Sequence, residues 1–154
     1  MERHPHIFWT PCAAHCIDLM LEDLGKLPWL KEIIEQGRSV CKFIYNHTWV
    51  LDLMRKHNDQ KELSHPGVTR FATNFLTLKS LLDSKGGLRC MFVSEEWIAS
   101  SCSKTITGID IADLIFDEAS FWTPIVEIVK VIFLFVIISF FLFMKLCYKL
   151  LFIF

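Results

Sequence analysis

Apolar residues recur along most of this chain at the spacing of a helix. Ile17, Met20, Leu21 and Leu24 stand at offsets of 0, 3, 4 and 7, one stripe of an α-helix. Ahead of that stripe Thr10 suits an N-cap and Pro11 the first helical position, and Gly25 can close the helix behind it. Leu30, Ile33, Ile34, Gly37, Cys41, Ile44, Thr48 and Leu51 hold one phase, which predicts a long second helix from about Pro28 to His57. The polar stretch 58–67 ends in Pro66-Gly67 and reads as a loop. Thr69 can cap a third helix with an apolar face of Phe71, Phe75, Leu78 and Leu82. Gly86-Gly87 interrupts it, and 88–97 is expected as another short helix. Residues 100–108 are polar and read as a loop; a last helix begins near Asp110, with Pro124 a kink or restart. Ile7-Phe8-Trp9 suits a strand end or a buried entry segment. The fold class is mainly α, with burial expected at Ile17, Leu21, Ile33, Ile34, Ile44, Leu51, Phe75 and Leu78.

Polarity collapses after Lys130. Residues 131–144 read VIFLFVIISFFLFM, fourteen positions without a charge, before Lys145 and Lys149 interrupt a further apolar run. As one helix, 131–154 is about 36 Å long, enough to cross a hydrocarbon core of about 30 Å. The two lysines, one turn apart, can snorkel toward an interface. The chain therefore divides into a body, 1–130, and an apolar tail, 131–154, a candidate transmembrane helix. The alternatives for the tail are a buried core helix or a non-functional extension. Its Phe, Ile, Leu, Val, Lys, Met and Tyr are residues that A/T-rich codons supply, as intron read-through or a frameshift would.

Composition changes this picture only locally. Hydrophobic residues make up 53% of 154 residues, and half of the 14 Phe fall in 131–154. Formal net charge is −1, so no global basic field argues for nucleic acid. The body alone is slightly negative, because every acidic residue precedes Ile128. The six Cys form no repeating framework, and Met1-Glu2-Arg3-His4-Pro5-His6 is no secretory leader. The thiols are expected to be reduced.

The most specific local feature is Pro11-Cys12-Ala13-Ala14-His15-Cys16. On a helix Cys12, His15 and Cys16 share one face, turned away from the Ile17/Leu21/Leu24 stripe. A helix start there offers free N–H groups that favour a thiolate and can hold a phosphate. Three readings compete. A zinc site needs a fourth ligand, which Cys41 or His47 would have to supply at a spacing that matches no standard finger. A Cys–His nucleophile pair needs an orienting group and a pocket. The third reading is small residues packed where a helix meets a sheet. Asp110, Asp113 and Asp117, with Glu118 adjacent, also fall at helical spacing, and a solvated acidic face explains them.

The surrounding text adds a resemblance. Residues 4–19, His4 through Leu19, resemble the Cys-x-x-His segment of hAT-type transposases, most of all the plant branch that carries a domain of unknown function beside the hAT dimerisation region. The likeness continues through Phe43-Ile44-Tyr45-Asn46-His47-Thr48-Trp49-Val50-Leu51, resumes at Pro66-Gly67-Val68-Thr69-Arg70-Phe71-Ala72-Thr73-Asn74-Phe75-Leu76, and returns at Phe116-Asp117-Glu118-Ala119-Ser120-Phe121-Trp122. It covers about residues 3–130.

That resemblance implies a ribonuclease-H-like core interrupted by a helical insertion, with three carboxylates holding two divalent metals for strand cleavage and transfer. In the family two catalytic Asp precede the Cys-x-x-His segment and the catalytic Glu lies beyond the helical insertion. None of the three maps onto this chain, so it is expected to be an internal piece, not an enzyme, with no catalytic residue, metal or cofactor of its own. The Cys-x-x-His motif does carry over, as Cys12 and His15. Those residues imply contact with transposon-end DNA. Arg70 matches the Thr-Arg-aromatic motif; many members follow that Arg with Trp, and Phe71 stands there in this chain. The DNA-contact candidates are Cys12, His15, Arg70 and Phe71, while Trp49 is expected in the core. The leading functional expectation is a catalytically incomplete transposase-derived fragment with weak, non-specific DNA or protein binding and no small-molecule substrate. The alternative is a small single-pass membrane-associated protein with a helical interaction module. The family is nuclear; an inserting tail would put this chain at a membrane.

Overall fold

The computed structural model describes residues 12–64 and 72–151. Ile7-Phe8-Trp9, Thr10, Pro11, Pro66-Gly67, Thr69, Arg70 and Phe71 lie outside the described residues, and so do the expectations placed on them. Among the described residues every regular element is helical and none is a strand. In chain order the helices are α1 (Ala13–Gly25), α2 (Pro28–Asn46), α3 (Thr48–His57), α4 (Ala72–Asp83), α5 (Lys85–Phe92), α6 (Glu95–Ala99), α7 (Ile106–Phe116) and α8 (Thr123–Leu151). A 3-10 turn, Cys102–Lys104, precedes α7, and a π-helical turn, Glu118–Trp122, joins α7 to α8.

α1 starts at Ala13, with Cys12 as its extended N-cap residue, two positions later than the Thr10-Pro11 pair suggested. Leu21 faces the core, Ile17 and Leu24 pack partly against it, and Met20 is exposed. α2 starts at Pro28, whose missing N–H costs nothing at a helix start. It buries Leu30, Ile33, Ile34, Val40, Cys41, Phe43 and Ile44.

The expected long second helix is two helices. His47 is extended (φ −121°, ψ 98°) and breaks the ladder between α2 and α3. Its Nδ1–H donates to the Phe43 carbonyl at 2.8 Å, satisfying a C-terminal acceptor that α2 leaves open. The break resets the helical phase: α3 buries Val50, Leu53 and Met54, leaves Thr48 exposed and keeps Leu51 only partly covered. Trp49 is exposed, correcting its expected place in the core.

α3 ends without glycine. Asp59 and Gln60 take positive φ values of 51° and 61°, and the Gln60 N–H returns to the Arg55 carbonyl at 3.0 Å. The Gly86-Gly87 pair does not interrupt a helix; both glycines lie in the first turn of α5, and the chain breaks at Ser84 instead. Ser84 is buried and accepts a hydrogen bond from Asn58 Nδ2 at 3.0 Å. A Cβ on Gly87 would meet the His57 carbonyl oxygen at 2.7 Å, so glycine there lets α5 lie directly on the end of α3.

The expected helix over 88–97 is likewise two: α5 ends at Phe92 with Val93 as its C-cap, and Ser94 caps α6, accepting from the Trp97 N–H at 3.2 Å. Thr105 caps α7 through the Gly108 N–H at 3.0 Å, so α7 begins ahead of the expected Asp110. Pro124 falls in the first turn of α8 and marks a restart.

α1 and α4 each pack against both α2 and α8; α3 and α7 also pack on α2, and α5 packs against α3, α4 and α7. The shared core runs from Leu21 through Ile44, Met54, Leu78 and Met91 to Trp122, Ile125, Ile128 and Ile132. Each large side chain buried there contributes roughly 1.5–3 kcal/mol over exposure. α8 is continuous across Lys130 and Val131: Ile132 is buried and Phe135 packs partly against the core.

Candidate functional site

α1 presents the sequence motif at its start. Cys12 is exposed, and no side chain caps the helix. The Cys12 carbonyl accepts from the Cys16 N–H at 3.0 Å. The N-cap residue Cys12 makes no side-chain hydrogen bond across this end. His15 is exposed and Cys16 half-buried on the same side. The helix start thus combines an exposed thiol, an exposed imidazole and outward-pointing first-turn N–H groups, an arrangement that can contact a phosphate. Arg70 and Phe71, the other two DNA-contact candidates, lie outside the described residues, so only half of the proposed constellation is placed.

Beyond this start α1 turns acidic. Lys26 is held by Asp23 at 2.9 Å and Glu22 at 3.2 Å; the Asp23 hydrogen bond, then Glu22, raises the Lys26 pKa against a small desolvation.

Cys41 is a core thiol. Burial pushes it up to about 12, which keeps it protonated at neutral pH. Among the described residues no three His, Cys, Asp or Glu side chains come together as a metal site. The acidic set at the end of α7 is divided between solvent and structure. Asp110 and Asp113 are exposed. Asp117 caps the π turn, accepting from the Ser120 N–H at 2.8 Å and from the Ser120 hydroxyl, and these bonds hold its carboxyl below the usual range. Glu118 grips Lys85 at 2.7 Å and Arg89 at 2.8 Å, and the Lys85 bond comes first in lowering its pKa. Asp117 and Glu118 therefore tie the π turn to itself and to α5.

Two surfaces were not singled out by spacing. An apolar groove of about 290 Å³ runs between α1, α4 and α8, walled by Leu21, Phe75, Leu76, Val129, Ile132 and Val136. Leu76 and Val136 are exposed, and Lys79, paired with Asp83, stands at its rim. Trp49, 45% exposed, borders a shallow hollow with Glu96, Ala99, Ser100 and Ser101.

No curated protein and no solved structure matches the chain. Residues 1–40, which include the start of α1 and reach into α2, match the family model described as a domain of unknown function (DUF659), a domain found in hAT-type transposase-like proteins.

Proposed function

We propose that this chain is a transposase-derived helical module, a fragment of a plant hAT-type element, that binds weakly and performs no strand transfer. The observation that carries this reading is the family match over residues 1–40, whose Cys12 and His15 stand exposed at an uncapped helix start. Strand transfer needs carboxylates converging on two metals. On this reading Asp117 and Glu118 are structural, since both are engaged by neighbouring side chains. Binding rests on phosphate contact at the α1 start, with Arg70 as the cationic side chain of the Thr-Arg-aromatic motif. The slight negative charge of the body works against tight association, so affinity for DNA is weaker than about 10⁻⁶ M at physiological salt and falls steeply as salt rises.

Titrating labelled duplex and single strand with the full chain at two salt concentrations tests this. His15→Ala together with Arg70→Ala is expected to abolish binding, while Asp113→Ala leaves it unchanged or slightly stronger. Tight, salt-insensitive binding that survives the double substitution would refute the assignment of the contact. Strand cleavage or joining by the purified chain with magnesium or manganese would refute the non-catalytic reading.

A further inference from the structure

The second half of α8 is apolar on more sides than a protein partner covers. At about 100° per residue, Val131, Phe133, Leu134, Val136, Ile138 and Phe141 point in directions that together sweep roughly 220° of the helix circumference, and all six are exposed. A single docked helix or sheet covers a stripe of only about 100°. A second copy of the chain laid along one side would leave the other side in water. A lipid phase covers the whole sweep at once.

Length and charge agree with that occupant. No charged residue lies between Val131 and Met144. Lys130, ion-paired with Glu127 at 3.0 Å, stands where α8 leaves the body, and Lys149 follows nineteen positions later, about 28 Å along the helix against a hydrocarbon thickness of about 30 Å. Lys145 falls inside the second boundary by one turn, within reach of the interface for a lysine stem. By length and composition the requirement of a span is met over Glu118–Ser139, which shares 131–139 with this stretch, and 28% of its apolar window is buried inside the protein. The buried positions are Phe121, Trp122, Ile125, Ile128 and, past Lys130, Ile132; the exposed large apolar side chains of α8 all lie beyond Lys130.

We propose that the exposed face of α8 from Val131 onward sits in the hydrocarbon of a lipid bilayer, with the helical body, which packs on α8 as far as Phe135, partly embedded at the membrane surface. Insertion does not depend on descent from a transposase, so the DNA titration and the membrane test fail independently.

The full chain, synthesised with microsomes, extracted at alkaline pH and floated through a density gradient, provides the test. The wild type is expected to float with the vesicles. Leu134→Arg with Ile138→Arg changes two exposed positions outside the core and is expected to lose most of the floated fraction. Leu134→Ala with Ile138→Ala keeps the helix apolar and is expected to float as the wild type does. A wild-type chain that stays at the bottom of the gradient, as a free oligomer or an aggregate, overturns the proposal. So does an arginine pair that floats undiminished, or an alanine pair lost to the same extent as the arginine pair.

Discussion

Trp122 donates its indole N–H to the carbonyl oxygen of Ile115 at 2.7 Å. That carbonyl lies in the last turn of α7, where no helical N–H follows to meet it. Arg89 Nε donates to the same oxygen at 3.3 Å, and Lys85 stands 5.1 Å over the indole ring. One fully buried tryptophan thus joins α7, the π turn and α5. Trp122→Phe removes the hydrogen bond and leaves a void, and is expected to cost about 2–3 kcal/mol. Urea unfolding of the full chain in mild detergent reads this as a lower midpoint at unchanged slope; an unmoved midpoint would show that the indole is dispensable.

Stability should fall on the alkaline side. The Cys41 thiol ionises at about 9.0 when unfolded, and burial pushes it up to about 12 in the fold. Tyr45 moves from 10.0 to about 12, first through burial and then through the hydrogen bond its hydroxyl donates to Glu62 at 2.8 Å. Above pH 9 the unfolded chain releases protons that the folded chain retains. The stabilisation is therefore complete below the unfolded values and is lost as pH rises toward 12, with a slope approaching about 1.4 kcal/mol per pH unit for each group. Cys41→Ala is expected to delay the onset by about one pH unit, measured as urea midpoints between pH 8 and 11. An identical profile in the variant would rule out Cys41 as the group responsible.

Gln60 holds a left-handed backbone conformation, φ 61°, without being glycine. Such a residue carries a cost of roughly 1–2 kcal/mol, partly offset in a glycine variant by the larger entropy of the unfolded chain. Gln60→Gly keeps the backbone bond to Arg55 and is expected to gain about 0.5–1 kcal/mol. A loss of stability would mean that the glutamine side chain supports the turn.

The paired glycines of α5 should respond in opposite directions. A methyl on Gly86 meets nothing within 4 Å, so Gly86→Ala is expected to stabilise by about 0.5–1 kcal/mol through helix propensity alone. A methyl on Gly87 meets the His57 carbonyl at 2.7 Å and Asn58 Oδ1 at 2.8 Å. There the overpacking penalty exceeds the gain in propensity, and Gly87→Ala is expected to lose about 1–2 kcal/mol. Thermal melts of the two variants side by side decide it: equal shifts of one sign would mean that α5 does not rest on the end of α3.

The helical class was legible because the apolar positions of α1, the first part of α2 and α4 repeat without interruption, and Leu21, Ile33, Ile34, Ile44, Phe75 and Leu78 are buried as that period requires. The division of the long second helix was not legible. Thr48 and Leu51 keep the earlier phase on paper, but one extended residue, His47, is enough to turn Val50, Leu53 and Met54 inward instead. Gly86-Gly87 misled for a related reason: glycine marks flexibility in a sequence, and here it serves close approach of one helix to another. The start of α1 was readable as an exposed Cys–His pair, although Cys12 is the N-cap and not a residue of the first turn. The groove along α4 and α8 was invisible to spacing, because its walls come from three helices far apart in the chain.

α8 runs without a joint from Thr123 to Leu151, and Ile132 belongs to the core while Phe133 and Leu134 face outward. The helix is a mast stepped into the hull, with no hinge between them. Whatever fixes the tilt of its far half also fixes the attitude of the body, and with it the direction in which Cys12 and His15 are presented. For the same reason the tail has no clean point of severance: a cut after Lys130 takes Ile132 and Phe135 from the packing around α1 and α4, so a shortened chain is a different fold problem and not the same body relieved of an appendage.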